Sequence, residues 1–503
     1  MRADTEVPAE DCWIGIDLGT QSVRALAVTA TGKVIGSGRQ PLQSRRDGAR
    51  HEQDPRQWWE AVAGACSQAT ADLHGTVRGV AVDATSGTVL LAGRQGTPLS
   101  PALMYDDTRA VAETDQANEL GHPLWTRLGY QRMQSSWGLP KALWLLTNTV
   151  ADQPPRVLHQ SDFINEMLTG TKTATDLSNA LKTGCDLLTG TWPQDLMTAL
   201  GIPDGVLPDL TLPGTVIGQV CPAAADATGI PAGTRVVAGM TDGCAAQLGS
   251  GALAPGSWNS VIGTTMVIKG VTQELLHDPD GVVYSHRAPG GGWLPGGASG
   301  TGAGYLAQRL PGADLDALSV GLPAHTPSKS IAYPLASAQG ERFPFVAPRA
   351  EAFILDQEQD QDDAGLYAAA VQGISFIERL SFDHLHRLGA AMDGPLVLTG
   401  GAARSREWSQ LRADILARPV TLVENSEPAL GMAILAASAE LGPLPATAEA
   451  MVHVQEVIDP RPQATATFME TYLRLIQELH SRGWLGDGLA AHAAQNTQKV
   501  FTA

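Results

Sequence analysis

One pattern recurs at the start of each half of the chain and limits the folds open to it. Trp13-Ile14-Gly15-Ile16-Asp17-Leu18 is an apolar run that delivers an acidic residue into Gly19-Thr20-Gln21-Ser22, and Val23-Arg24-Ala25-Leu26-Ala27-Val28 carries the chain away again. Trp258-Asn259-Ser260-Val261-Ile262 enters Gly263-Thr264-Thr265, and Met266-Val267-Ile268-Lys269-Gly270 leaves it. Apolar runs bounded by Gly and hydroxyl residues read as β-hairpins. Two hairpins with similar tips predict two similar domains clasping one phosphate group between them. The first tip combines a glycine that lets a ligand approach the backbone, the hydroxyls of Thr20 and Ser22, and a carboxylate able to hold a divalent cation. These are the parts that hold nucleotide phosphates and magnesium, although the spacing is not that of a Walker A loop.

Length supports the division, because 503 residues exceed the size at which one hydrophobic core stops growing. The formal charge of -18 argues against a nucleic-acid-binding surface. Cys12, Cys66, Cys185, Cys221 and Cys244 have neither metal-ligand nor disulfide-framework spacing, which fits a reducing compartment. There is no apolar run of membrane-spanning length, and the first ten residues lack the pattern of a signal peptide. The expectation is a cytoplasmic protein with no membrane partner.

Further along, Asp54 and Pro55 open a helix as cap and first-turn residue. The strand Val77–Val82 ends in Asp83-Ala84-Thr85-Ser86-Gly87-Thr88, where Asp83, Thr85 and Ser86 are candidates for binding sugar hydroxyls. In Tyr105-Asp106-Asp107-Thr108-Arg109, Asp106 is a candidate for holding a polyol and Asp107 for capping. Val236-Val237-Ala238-Gly239-Met240-Thr241 brings Asp242 to the head of a crevice, with Gly243 and small residues opening a helix behind it. Near the end, Leu396-Val397-Leu398-Thr399 enters the double-glycine turn Gly400-Gly401, which leaves room for a flat base. A helix follows Ser405, an amphipathic helix surrounds Phe468 to Leu479, and the Ala/Gln-rich end reads as a weak tail.

In this order the motifs IGIDLGTQSVR, EQDPRQWWEA, DATSG, PALMYDDTRA, AGMTDGCAAQLGSG, VIGTTMVIKG and LTGGAARSREWSQLRADILARPV resemble the FGGY family of carbohydrate kinases, within the actin superfamily. The resemblance runs from Ile14 to about Ala437 and implies an α/β fold. It would comprise two actin-like (ribonuclease H-like) domains with a nucleotide and sugar cleft between them. The expected boundaries are 12–249 for a sugar-binding and catalytic domain, 250–480 for a nucleotide-binding domain and 481–503 for a weakly ordered tail. The implied cofactors are ATP and Mg2+.

The resemblance also implies roles for individual residues. Asp242 matches the catalytic base, and Asp17 with Asp242 matches the metal site. Gly19, Thr20, Gln21 and Gly263-Thr264-Thr265 resemble phosphate-loop positions, and Gly400, Gly401 and Ala402 the adenosine-side turn. Glycerol kinases carry an Arg-Glu pair, and many xylulokinases a Met-His pair, in the region held here by Asp83-Ala84-Thr85-Ser86-Gly87. That departure resembles the D-ribulose kinase branch. The expected substrate is therefore a ketopentose such as D-ribulose, phosphorylated at its terminal hydroxyl, with D-xylulose or another polyol as the alternative. An actin-like ATPase without a sugar substrate is the competing class, and a homodimer is a family-level expectation. A Rossmann dehydrogenase is disfavoured because Gly15 and Gly19 lack G-x-G-x-x-G spacing.

Overall fold

A computed structural model describes residues 10–150, 152–323, 326–357 and 362–502. It divides into two compact units. The first comprises residues through Gly251, His286–Gly291 and Asn425–His453; the second comprises Ala252–Ser285, Gly292–Glu424 and the chain from Val454 onward.

In the first unit the opening hairpin pairs Cys12–Leu18 with Ser22–Thr29, leaving Gly19-Thr20-Gln21 as its tip. The sheet continues on one side to the antiparallel Val34–Pro41, and on the other through the parallel Val77–Ala84 and Arg235–Val237 to the antiparallel Val216–Gln219. The central strands read as unbroken apolar runs because helices bury both of their faces. Helix Pro55–Thr70 covers one face, its start held by the Asp54 carboxylate, which accepts the Arg56 amide at 3.0 Å. Its buried Trp58, Val62, Ala65, Cys66 and Ala69 follow the helical period.

The other face is covered by helix Pro428–Leu441, which arrives from far down the chain. It lies so close that a Cβ on Gly15 would stand 1.7 Å from the Ala429 carbonyl oxygen. The same helix presents Gly431 to helix Asp242–Gly249, where an added Cβ would meet the Ala245 oxygen at 2.0 Å. Backbone therefore packs directly on backbone from the first strand to the helix that starts at Asp242. The expected span of 250–480 for a second domain does not coincide with the compact units: residues 425–453, with their small-residue helix packed on Gly15, join the first.

The second unit repeats the plan. Hairpin Trp258–Ile262 and Met266–Gly270 has Trp293–Ser299 antiparallel on one side. On the other side come Leu396–Thr399 and Val420–Val423, both parallel, and then the antiparallel Val454–Ile458. Helix Arg406–Leu416 is fastened by the fully buried Arg412. Its guanidinium donates to Glu378 on helix Asp363–Arg387 at 2.6 and 2.8 Å and to the Ser260 hydroxyl at 2.9 Å. Forked pairing of this kind satisfies a charge that would otherwise be costly to bury.

The tail expectation is corrected too. Asp487–Thr502 is a helix, and Leu489 and Ala493 lie in the core with Leu485 just before them. Among the described residues no helix is long and apolar enough to cross a membrane.

Because backbone cannot yield as a side-chain tip can, Gly15→Ala should destabilise the protein by at least about 2 kcal/mol. Gly401→Ala, which meets no atom within 4 Å, should leave the unfolding midpoint unchanged. Thermal unfolding of the two variants checks the contrast.

Candidate active site

Strand register in the first unit sets Asp17 beside Asp83, since Cys12–Leu18 runs parallel to Val77–Ala84 with these residues as partners. One residue on, Ala84 bridges Thr241, and Asp242 opens the next helix. Three carboxyl groups from three distant stretches thus meet at one end of the sheet. Asp83 is fully buried, and no donor among the described residues other than its neighbouring carboxyl reaches either of its oxygens. Burial first, and the charges of Asp17 and Asp242 next, push it well above the usual carboxylate range. Asp17 is raised to about 6 by burial and then by Asp242, opposed by the hydrogen bond from Asp83 and by Arg24, its partner across the hairpin. Arg24 is itself paired with Glu427, at the start of the small-residue helix.

The hairpin tip is held from behind. Gln53 donates one amide hydrogen bond to the Thr20 carbonyl at 2.8 Å and another to Ser44, and the Gln21 carbonyl accepts the Leu42 amide. Gly19 lies 3.8 Å from an Asp17 oxygen, measured from where a Cβ would be. In the turn after Asp83, Ser86 has a buried hydroxyl without a partner among the described residues. Lys182 reaches toward the Ser86 carbonyl at 3.5 Å and lies 5.9 Å from the centre of the Trp137 ring. Neither Lys182 nor Trp137 was singled out from the sequence as a site residue, and no local spacing ties them to Ser86.

Two sequence candidates have other work. Thr85 bonds through its hydroxyl to Gln160 at 2.7 Å and Thr88 at 2.6 Å, shaping the turn. Asp106 pairs with Arg46 at 2.9 Å and with His51. Its neighbour Asp107 does not cap a helix but receives the His51 amide and the Arg109 guanidinium, each at 2.7 Å.

In the second unit the Gly263-Thr264-Thr265 turn is braced from below, with the Gly263 and Thr264 carbonyls accepting the amides of Ala303 and Gly304 at 2.8 and 3.0 Å. Gly400 adopts φ +81° and presses against Ile262, where an added Cβ would stand 2.6 Å from the carbonyl oxygen. Gly263 and Gly401 face open space. Their missing side chains are demanded neither by backbone angle nor by packing, which leaves a surface on which a phosphate or a flat base can lie. The Ala402 side chain is buried in the core, so that turn offers backbone there. The donor set also suits magnesium, because carboxylates that repel one another at a sheet end are relieved by a divalent cation with oxygen ligands. A second cluster, Asp278, Asp280 and His384, is structural: Asp278 accepts the amides of Asp280, Val282 and Val283, and Arg387 pairs with Asp280.

The N-terminal-domain model of the FGGY family of carbohydrate kinases matches residues 12–249, and the C-terminal-domain model matches 258–440. The chain belongs to the FGGY family of carbohydrate kinases. This FGGY protein is accordingly an ATP-dependent phosphotransferase built on two α/β domains of the actin-like fold. It is 31% identical over 452 residues to the xylulose kinase of Streptomyces rubiginosus, covering 86% of this chain and 89% of that one. Against the xylulose kinase of Escherichia coli K12 the identity is 28% over 437 residues, covering 84% and 89%. Among solved structures, the xylulose kinase of Rhodospirillum rubrum superposes with a TM-score of 0.81 at 25% identity over 93% of this chain and 99% of the other. The gluconate kinase of Lactobacillus acidophilus gives 0.84 at 21% identity over 94% and 98%, a likeness of fold.

The carboxyl cluster has a measurable cost. An acid held at about 6 in the folded chain, against an ordinary value of 3.8, binds its proton more tightly folded than unfolded. The resulting destabilisation begins as pH rises past about 4 and is complete above about 6. Asp17→Asn should therefore raise stability by about 3 kcal/mol at pH 8 in chelator, and the gain should vanish by pH 4. Denaturant unfolding at the two pH values checks it.

Proposed function

We propose that this kinase transfers the γ-phosphoryl group of ATP to the terminal hydroxyl of a ketopentose, with Asp242 as general base. The observation that carries the reading is the gathering of Asp17, Asp83 and Asp242 at the open end of the first sheet. Asp242 accepts the proton of the sugar hydroxyl as that oxygen bonds to the γ-phosphorus and the bond to the β-bridging oxygen breaks, releasing ADP. Asp17 and Asp242 would hold the magnesium ion, which when bound offsets the charge of the phosphates. Backbone amides at Gly19, Thr20 and Gln21 and at Gly263, Thr264 and Thr265 would receive the phosphates, while Gly400, Gly401 and the Ala402 backbone receive adenosine. Ser86 is the sugar contact in this reading, while the fully buried Asp83 acts behind it through its neighbours Asp17 and Asp242. Thr85 and Asp106 are left out because Gln160 and the Arg46–His51 pair engage them.

D-Xylulose is the first choice of substrate, supported by relatives that are named xylulose kinases across several organisms. D-Ribulose is the second reading, favoured by the turn after Asp83, where Thr85 and Ser86 stand in the region of the Met-His pair of many xylulokinases. A coupled ADP-release assay with ATP and magnesium across D-xylulose, D-ribulose, gluconate and glycerol decides among them. Stimulation by one ketopentose supports the reading. ADP release that is equal with and without every sugar overturns it in favour of a sugar-independent ATPase.

Two variants test the assignment of parts. Asp242→Asn should lose turnover by ~10²–10⁴-fold while ATP still binds. Gly401→Val should raise KM for ATP about tenfold or more by filling the open surface, with the sugar KM and the unfolding midpoint unchanged.

A further inference from the structure

Thr241 stands at the N-cap of helix Asp242–Gly249, a position whose hydroxyl ordinarily accepts an amide from the first turn. It makes no such bond here. Its Oγ1 lies 3.0 Å from Ser178 Oγ, and Ser178 Oγ also accepts the Thr241 backbone N–H at 3.1 Å. Behind Ser178, His286 Nδ1 lies 3.3 Å from the same oxygen. Ser178, Thr241 and His286 are all buried to within 2%. We infer that Ser178 and His286 form a positioning chain that fixes the start of this helix and thereby aims Asp242; the inference rests on Asp242 being the base.

The proton count shows how tightly the chain is set. A serine hydroxyl has one hydrogen and two lone pairs. The Thr241 amide takes one lone pair, and the other lone pair and the hydrogen serve Thr241 Oγ1 and His286 Nδ1 in one direction or the other. Cys244 Sγ, one turn into the same helix, lies 3.6 Å away as a further acceptor, so Ser178 Oγ has more partners than valences and is held among Thr241, His286 and Cys244. Ser178 sits in the short helical turn Leu177–Ala180, itself anchored by Asp176, whose carboxylate accepts the Asn179 amide at 2.9 Å and its side-chain amide at 2.7 Å.

Asp242, for its part, is tied to the helix start, because its Oδ1 accepts the Gly243 amide at 2.7 Å. Its carboxylate moves if the first turn moves. Close packing of Gly431 on Ala245 fixes the body of the helix, and the Thr241–Ser178 pair fixes its rotation at the end that carries the carboxylate. Misplacing a reacting group by about 1 Å can cost ~10²-fold in rate, so bonds with no contact to substrate can still govern turnover.

The test is steady-state kinetics of the full chain with MgATP and the sugar it accepts. Ser178→Ala and Thr241→Val should each lower kcat by about tenfold or more with the sugar KM within about threefold, whereas Thr241→Ser, which keeps the hydroxyl, should stay within about twofold of the parent. His286→Leu should follow the deficient pair, and His286→Asn, which can place a polar atom where Nδ1 stands, should recover most of the loss. A purely structural role would lower the unfolding midpoint and leave kcat per folded molecule intact, and that outcome overturns the inference. If Asp242→Asn abolishes turnover while Ser178→Ala and Thr241→Val both keep parental kcat, the positioning chain is wrong and the base stands. If Asp242→Asn itself turns over at the parental rate, the base assignment fails and the inference falls with it.

Discussion

Repulsion among three carboxyl groups at one end of a sheet is the constraint around which the first unit is arranged. Asp17, Asp83 and Asp242 come from stretches far apart in sequence, and the parallel register of two strands forces the first two into adjacency. Left as three anions they would oppose folding. The structure meets this by burying Asp83, which pushes its carboxyl toward the neutral form, by setting Arg24 opposite Asp17, and by pinning the Asp242 helix from both sides. A site that resists its own charge is poised for a cation and for a proton acceptor, which is what phosphoryl transfer to a hydroxyl demands.

Close packing does the rest. Gly15, Gly431 and Gly239 each leave a gap into which a neighbouring carbonyl oxygen projects, so elements of the first unit approach at backbone distance and carry little slack. The second unit packs in the same way at Gly296 and Gly373, and adds the buried Arg412–Glu378 fork bonded to Ser260. One topology, used twice, is thus closed by glycine contacts in both units, with a buried ion pair added in each.

Features decided by neighbours in the chain were legible in the sequence. Both hairpin tips and the Asp54 and Ser405 helix starts follow from local spacing, and the structure has them where the residues indicate. The site was legible to the extent that each carboxylate follows an apolar run, as Asp17, Asp83 and Asp242 do. The partners that Thr85 and Asp106 have in the structure, Gln160, Arg46 and His51, lie in other elements and leave no trace in the local pattern. Ser178, Lys182 and His286 escaped for the same reason. The final helix was read as a loose tail because its apolar stripe is thin, and only the core that receives Leu489 and Ala493 holds it.

The return of residues 425–453 to the first unit sets an order on biosynthesis. When the ribosome has made residue 251, the first sheet lacks the helix that covers one of its faces and the Glu427 that pairs with Arg24. That face stays uncovered while the whole of the intervening second-unit sequence is synthesised, roughly 10–40 s at ordinary elongation rates. Until residues 425–453 emerge, the first-unit sequence therefore has an apolar strand face with no local partner, and the first unit cannot be completed from the N-terminal stretch alone. Any chaperone that engages this protein has its clearest target there, on the face of strand Cys12–Leu18 that awaits its last helix.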